Sequence, residues 1–169
     1  MSRFTHVYEW SLFGSSIKID YAKTDIAISD VYKQLRKQLS TLSKYKNGII
    51  WYDDPKTTSR VRKLLDHKFD DDSVTELCLV DFKLYEYSEK LNNEAMEGYS
   101  DNDKVGKIVN EVIRNMRSAA AKVGQSISSK YPFIYDMSWD MYNDDGYGIS
   151  VFIYCKFDPT KVEVGDHNE

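Results

Sequence analysis

The stretch WYDDPKTTSRVRKLLDHKFDDD, residues 51–72, sets two carboxylate clusters around a compact basic segment. Carboxylates so grouped are either cation ligands or punctuation at helix ends, and their neighbours decide between the two. Asp54 before Pro55 has the form of a helix start, because an Asp side chain accepts from free amides and proline suits the first helical position. Asp70, Asp71 and Asp72 lack the alternating ligands, central glycine and terminal glutamate of a calcium loop, so they read as a polar turn. No metal and no cofactor is expected.

Metal-dependent and nucleophilic chemistry each compete here with an ordinary structural role. Asp53 or Asp54 at a strand end, with Asp81 and Lys83 on the next strand, could hold a divalent cation and polarise a water, as in metal-dependent nucleases. A whole helix separates the two strands in sequence, and Asp81 with Lys83 also makes an ordinary surface ion pair. His6, His67 and His167 are the only histidines, and none has a serine or cysteine in an elbow or triad setting. The eight glycines are dispersed, with no phosphate-binding loop among them. No catalytic residue is assigned.

Two surfaces are better candidates. Lys56, Arg60, Lys63 and His67 follow at spacings of four, three and four, which puts them on one helix face. With Lys33, Arg36 and Lys37 of the preceding helix they form a candidate phosphate or nucleic-acid patch. The acidic, aromatic hairpin FIYDMSWDMYNDDGYG offers Tyr142, Asp144, Asp145 and Tyr147, and Phe152 and Tyr154 on its outward face, as candidate protein contacts.

Several elements must position these residues. Phe4, His6, Tyr8, Trp10 and Leu12 alternate with polar residues and, with Ile17, Ile19 and Tyr21, predict an antiparallel hairpin. Ile28, Val31, Tyr32, Leu35, Leu39 and Leu42 predict a first helix capped by Ser29 and stopped at Asn47-Gly48. GIIWY is a short strand, and Val61, Leu64 and Leu65 line a second helix. TELCLVDFKLYEY, residues 75–87, predicts a strand with Cys78, Val80, Phe82 and Leu84 inward and Asp81, Lys83, Tyr85 and Tyr87 outward. A polar loop leads to a third helix with a stripe from Val105 to Ile127. For the last hairpin, a three-residue loop at Asp144, Asp145 and Gly146 pairs Phe133, Tyr135, Met137, Trp139 and Met141 with Phe157, Cys155, Ile153, Val151 and Ile149, all inward.

The expected fold is α+β: a mostly antiparallel sheet of about six strands (β-β-α-β-α-β-α-β-β) with three helices on one face, in a single domain over 1–157 with a polar tail at 158–169. A chain of 169 residues with 41% apolar content supports one core. Cys78 and Cys155 lie in apolar runs and read as free core thiols rather than disulfide or zinc ligands. The N-terminus lacks a continuous apolar run, which points to a cytoplasmic, non-membrane protein.

Charge is sorted by element. Residues 33–68 carry ten Lys/Arg against three Asp, and 105–132 five against one, whereas 69–104 carry three against eleven and 133–169 two against eight. Opposed charged faces without a catalytic constellation favour a non-enzymatic protein that binds a protein partner as adaptor or inhibitor. Thirteen tyrosines and six alanines also suit an AT-rich genome, and hence a phage or mobile-element accessory protein acting on a host enzyme. The alternatives are a nucleic-acid or nucleotide-phosphate binder using the basic helices and a metal-dependent nuclease. An overall pI near 5.4 weighs against a dedicated nucleic-acid binder.

Overall fold

The computed structural model describes the backbone of residues 7–12, 15–53, 76–144 and 148–158, and side chains from Ala22 onward within these, Asp144 excepted. The helix predicted between Asp54 and His67 lies outside the described residues.

The first hairpin forms from β1 (Val7–Leu12) and β2 (Ser15–Asp20), which pair antiparallel. Their ladder closes on itself as a separate two-stranded sheet. Among the described residues the main sheet therefore has four strands rather than about six: β3 (Ile49–Trp51), β4 (Glu76–Lys83), β5 (Ile134–Asp144) and β6 (Gly148–Phe157), all antiparallel in the order β3-β4-β6-β5.

Helix α1 runs Tyr21–Gln38, starting eight residues before the expected Ser29 cap. The buried stripe extends backward through Thr24 and Ala27, whose small side chains do not stand out as an apolar pattern. A 3-10 stretch, Leu39–Gly48, continues it to the predicted stop, with non-helical backbone at Leu42 and Tyr45 and both side chains buried. Gly48 is needed there for space: a Cβ would lie 2.7 Å from Tyr87 Cβ and 2.8 Å from the Phe82 ring.

Strand β4 ends at Lys83, not Tyr87, and the predicted polar loop is largely helical: α2 spans Leu84–Tyr87 and α3 spans Glu89–Met96. Ser88 caps α3 by accepting from the Leu91 amide at 3.2 Å, and Leu91 and Ala95, one turn apart, are buried. The long helix matches its prediction. It is α4, Lys104–Lys130, and the whole stripe from Val105 through Met116 to Ile127 is buried. Asp103 caps it, accepting from the amides of Gly106 and Ser100 at 2.8 Å each.

The final hairpin departs from the expected register, because Asp144, placed in the loop by the prediction, pairs with Gly148, so Trp139 faces Ile153 and Met141 faces Val151. Two irregularities explain the mispaired expectation. A bulge between Tyr135 and Ser138, where Asp136 adopts φ 52°, turns Tyr135 outward to 43% exposure while Phe133 and Ile134 are both buried. Gly148, with φ +97°, takes the left-handed position beside the loop. On β6 the reading holds: Ile149, Val151, Ile153, Cys155 and Phe157 are all buried on one side.

A second bulge, at Leu79, alters β4. Val80 and Phe82 face inward opposite Ile153 and Val151, but Cys78 pairs with Tyr154 on the other side. Cys78 is thus half-buried outside the core, and Cys155 is fully buried within it; neither is in a disulfide. Burial pushes the Cys155 thiol far up. Helices α1 and α4 pack together, and α4 lies against β5 and β6. No helix among the described residues is long and apolar enough to cross a membrane.

Candidate functional site

The pairing registers lay three rows of side chains across the sheet, on the side away from Val80, Phe82, Val151 and Ile153. Lys83, Ser150 and Tyr142 form one; Ile50, Asp81, Phe152 and Asp140 the next; Cys78, Tyr154 and Ser138 the third. Directly paired residues on neighbouring strands sit about 5 Å apart, so these rows make a continuous surface. The turn into α2 adds Tyr85 and Glu86. Together with Gly148 and Ile149, Cys78, Asp81, Lys83, Tyr85, Glu86, Tyr142, Ser150 and Phe152 line a concavity of about 820 Å³.

Asp81 is the unusual member. It was expected to face solvent, yet it retains 7% exposure, and its Oδ1 has no hydrogen-bond partner. Burial pushes its carboxyl up from the ordinary 3.8 to about 6, against a partial downward pull from the Lys83 charge. A buried carboxylate left unpaired costs free energy, so this site is held against the local preference for a protonated or apolar group.

The sign of that cost is testable. A carboxyl whose pKa is higher in the folded chain holds its proton more tightly there, so its contribution to stability is fully present below about pH 4 and lost as pH rises to about 6. Asp30, held low by the Lys130 hydrogen bond, and Glu111, held low by hydrogen bonds from Lys44 and Tyr45, work the opposite way and lose their contribution on acidification. Asp81→Asn should therefore stabilise the protein by about 1–3 kcal/mol at pH 7, with the gain shrinking toward pH 4. Urea titrations of both proteins at the two pH values measure this difference; a gain independent of pH would sink the assignment.

The metal-nuclease arrangement does not assemble from Asp53. β3 and β4 do pair, so the sheet brings the two segments together, with Ile50 opposite Asp81 and Trp51 opposite Val80. Asp53, however, turns to α1 and takes the Arg36 guanidinium at 2.5 Å, while Asp81 lies on the other side of the sheet. Asp54 is outside the described residues. Among the described residues there is no group of three His, Cys, Asp or Glu side chains that could hold a metal.

Of the basic patch, Lys33 and Lys37 are exposed on α1, and Arg36 is engaged, pairing with Asp53 and lying 4.2 Å over the Trp51 ring. Lys56, Arg60, Lys63 and His67 lie outside the described residues. The fold supplies a different neighbour: exposed Lys107, Arg114, Arg117 and Lys122 on α4, which packs on α1. Thr41 donates to Asn115 at 2.6 Å and Lys44 pairs with Glu111 at 2.7 Å, tying the two segments together. Residues 21–48 and 104–130 carry twelve Lys/Arg against three Asp/Glu.

Of the predicted protein contacts, Tyr142 at 55% exposure and Phe152 line the concavity, and Tyr154 lies beside Phe152 with ring centroids 6.1 Å apart. Asp144 is placed by its backbone at the end of β5; Asp145 and Tyr147 are outside the described residues. The sequence reading sets Tyr85 on the same outward face as Asp81 and Lys83 without naming it a contact, and misses Cys78, Glu86 and Ser150 as members of this surface. Glu86 joins it because the strand ends at Lys83 and turns into α2, which no glycine, proline or capping side chain marks in the sequence. Compared with family models, curated proteins and solved structures, the chain has no match.

Proposed function

We propose that this chain is a non-enzymatic protein that docks on a protein partner through the concave face of its sheet, as an adaptor or inhibitor. The observation that carries this reading is the concavity itself, where Phe152, Tyr142 and Tyr85 from two strands and a helical turn converge around Asp81. Tyrosine and phenylalanine walls supply large, rigid contact area at low entropic cost, and such aromatics dominate interface energetics. Carboxylates at Glu76, Glu86, Asp136 and Asp140 surround the face against Lys83 and Lys156, with Lys156 paired to Asp136 at 2.8 Å. Charge complementarity therefore favours a partner surface that is basic around an apolar centre.

A second reading, a polyanion such as nucleic acid held on the α1 and α4 layer, is favoured by the excess of twelve cations over three anions there. One experiment separates the two. Tagged protein is used to capture partners from its native lysate, with and without nuclease, as wild type, as Phe152→Glu and as Arg114→Glu/Arg117→Glu. The sheet-face reading expects a stoichiometric protein that survives nuclease, is lost with Phe152→Glu and is kept with the α4 double variant. Loss of capture on nuclease treatment and with the α4 variant, but not with Phe152→Glu, would replace it with the polyanion reading.

A further inference from the structure

We infer that the concavity receives an arginine side chain of the partner, with its guanidinium seated on Asp81. This deepens the docking reading of the same face and rests on it. Asp81 lines the concavity, keeps 7% exposure and has an oxygen without a hydrogen-bond partner. An acceptor so placed is completed by a donor that arrives with the ligand, and a positive donor suits it best because the bond is then charge-assisted.

The surroundings narrow the cation. A hard metal ion takes six or more oxygen ligands, or a tight octahedron of them, whereas the buried acceptor here is a single carboxylate, with Ser150 and Glu86 farther along the wall. An anion would meet Lys83 but also Asp81 and Glu86. An organic cation meets two carboxylates, Asp81 and Glu86, against the single Lys83 charge, and three aromatic side chains, Tyr85, Tyr142 and Phe152. Phe152 stands directly opposite Asp81 across the β4–β6 ladder, so a planar group on the carboxylate lies beside an aromatic ring. Guanidinium is flat, donates two parallel bonds to a carboxylate, stacks on rings and is less strongly hydrated than ammonium. Lys83, two residues along β4, places a like charge in the row it shares with Ser150 and Tyr142, so the cationic group is kept to the neighbouring row, over Phe152 and against Asp81.

The test uses the full chain and two small probes, N-acetyl-arginine methylamide and its neutral isostere N-acetyl-citrulline methylamide. Each is titrated into isotope-labelled protein while the Asp81 carboxyl carbon and the amides of Ser150 and Phe152 are followed by NMR. Saturable shifts at these positions are expected with the arginine probe, with the citrulline probe at least about tenfold weaker, and with Asp81→Asn at least about tenfold weaker toward arginine. Equal response to both probes, shifts elsewhere, or no shift with arginine at tens of millimolar would overturn the inference. The ligand-side comparison leaves the protein intact, so it does not depend on how the variant folds. Partner capture separates the two levels. If Phe152→Glu loses the partner and Asp81→Asn keeps it, the face docks without an arginine anchor; if both keep it, the docking reading itself falls.

Discussion

Truncating Phe82 to alanine is expected to remove about 3–5 kcal/mol of stability, the range for a large aromatic lost from a well-packed core. Phe82 lies on central strand β4 with no exposed surface. Its ring stands edge-on to Tyr45 at 6.0 Å and tilted to Tyr87 at 6.1 Å, and Gly48 approaches it closely enough to leave no room for a methyl group. Three segments thus converge on one ring: the 3-10 stretch, α2 and β4. None can collapse into the void without giving up contacts with the other two, which places the cost high in its range. Against a usual total of 5–15 kcal/mol this is a large share, and the thermal midpoint should fall by roughly 10 °C. Urea unfolding with an unchanged slope would show that the native core alone was altered. A loss below about 1 kcal/mol would mean the three segments repack freely. Met141, at 37% exposure, provides the contrasting truncation.

Gly106→Ala is expected to destabilise by about 2–4 kcal/mol, although alanine in a helix ordinarily gains close to 1 kcal/mol over glycine. The reversed sign comes from the turn that precedes α4. A Cβ at Gly106 would lie 1.9 Å from the Ser100 carbonyl oxygen and 2.8 Å from the Asp101 Cα, both backbone atoms that no rotamer change can move. Relieving the clash means pushing 100–101 away from the helix, and Ser100 is held there because its backbone N–H donates a hydrogen bond to the same Asp103 carboxylate that accepts from Gly106. The substitution therefore strains the cap as well, a feature worth about 1 kcal/mol on its own. Chemical denaturation of the variant checks the sign: a gain in stability would show that the turn yields at little cost.

The two longest signals in the chain were legible, and for the same reason. The α4 stripe and the alternation from Ile149 to Phe157 repeat often enough that no single residue decides them. Short elements lack that redundancy. Helix α3 is eight residues long and mostly polar, so the Ser88 cap and the Leu91–Ala95 pair were its only marks. The pairing error in the last hairpin has two sources: β5 runs on to pair Asp144 with Gly148, and farther along Asp136 adds a bulge at positive φ with no glycine to announce it. The candidate site was legible in pieces. Asp81, Lys83, Tyr142 and Phe152 each stood out, but under separate headings, because they meet only through the β4–β6–β5 pairing and the Leu79 bulge. That bulge also reassigned Cys78 from the core to the outer side.

Strand order has a consequence for how the chain comes off the ribosome. The sheet runs β3-β4-β6-β5, so the last strand made is an inner one, and β4 emerges some seventy residues before its partner. During synthesis β4 can pair only with three-residue β3, and Phe82 and Val80 must wait for Val151 and Ile153. Closure of this core is therefore a late event that nearly the whole described chain must precede, whereas α4 can form locally beforehand. A nascent chain stalled before β6 would carry an open strand edge, the state in which chaperone contact or aggregation competes with folding.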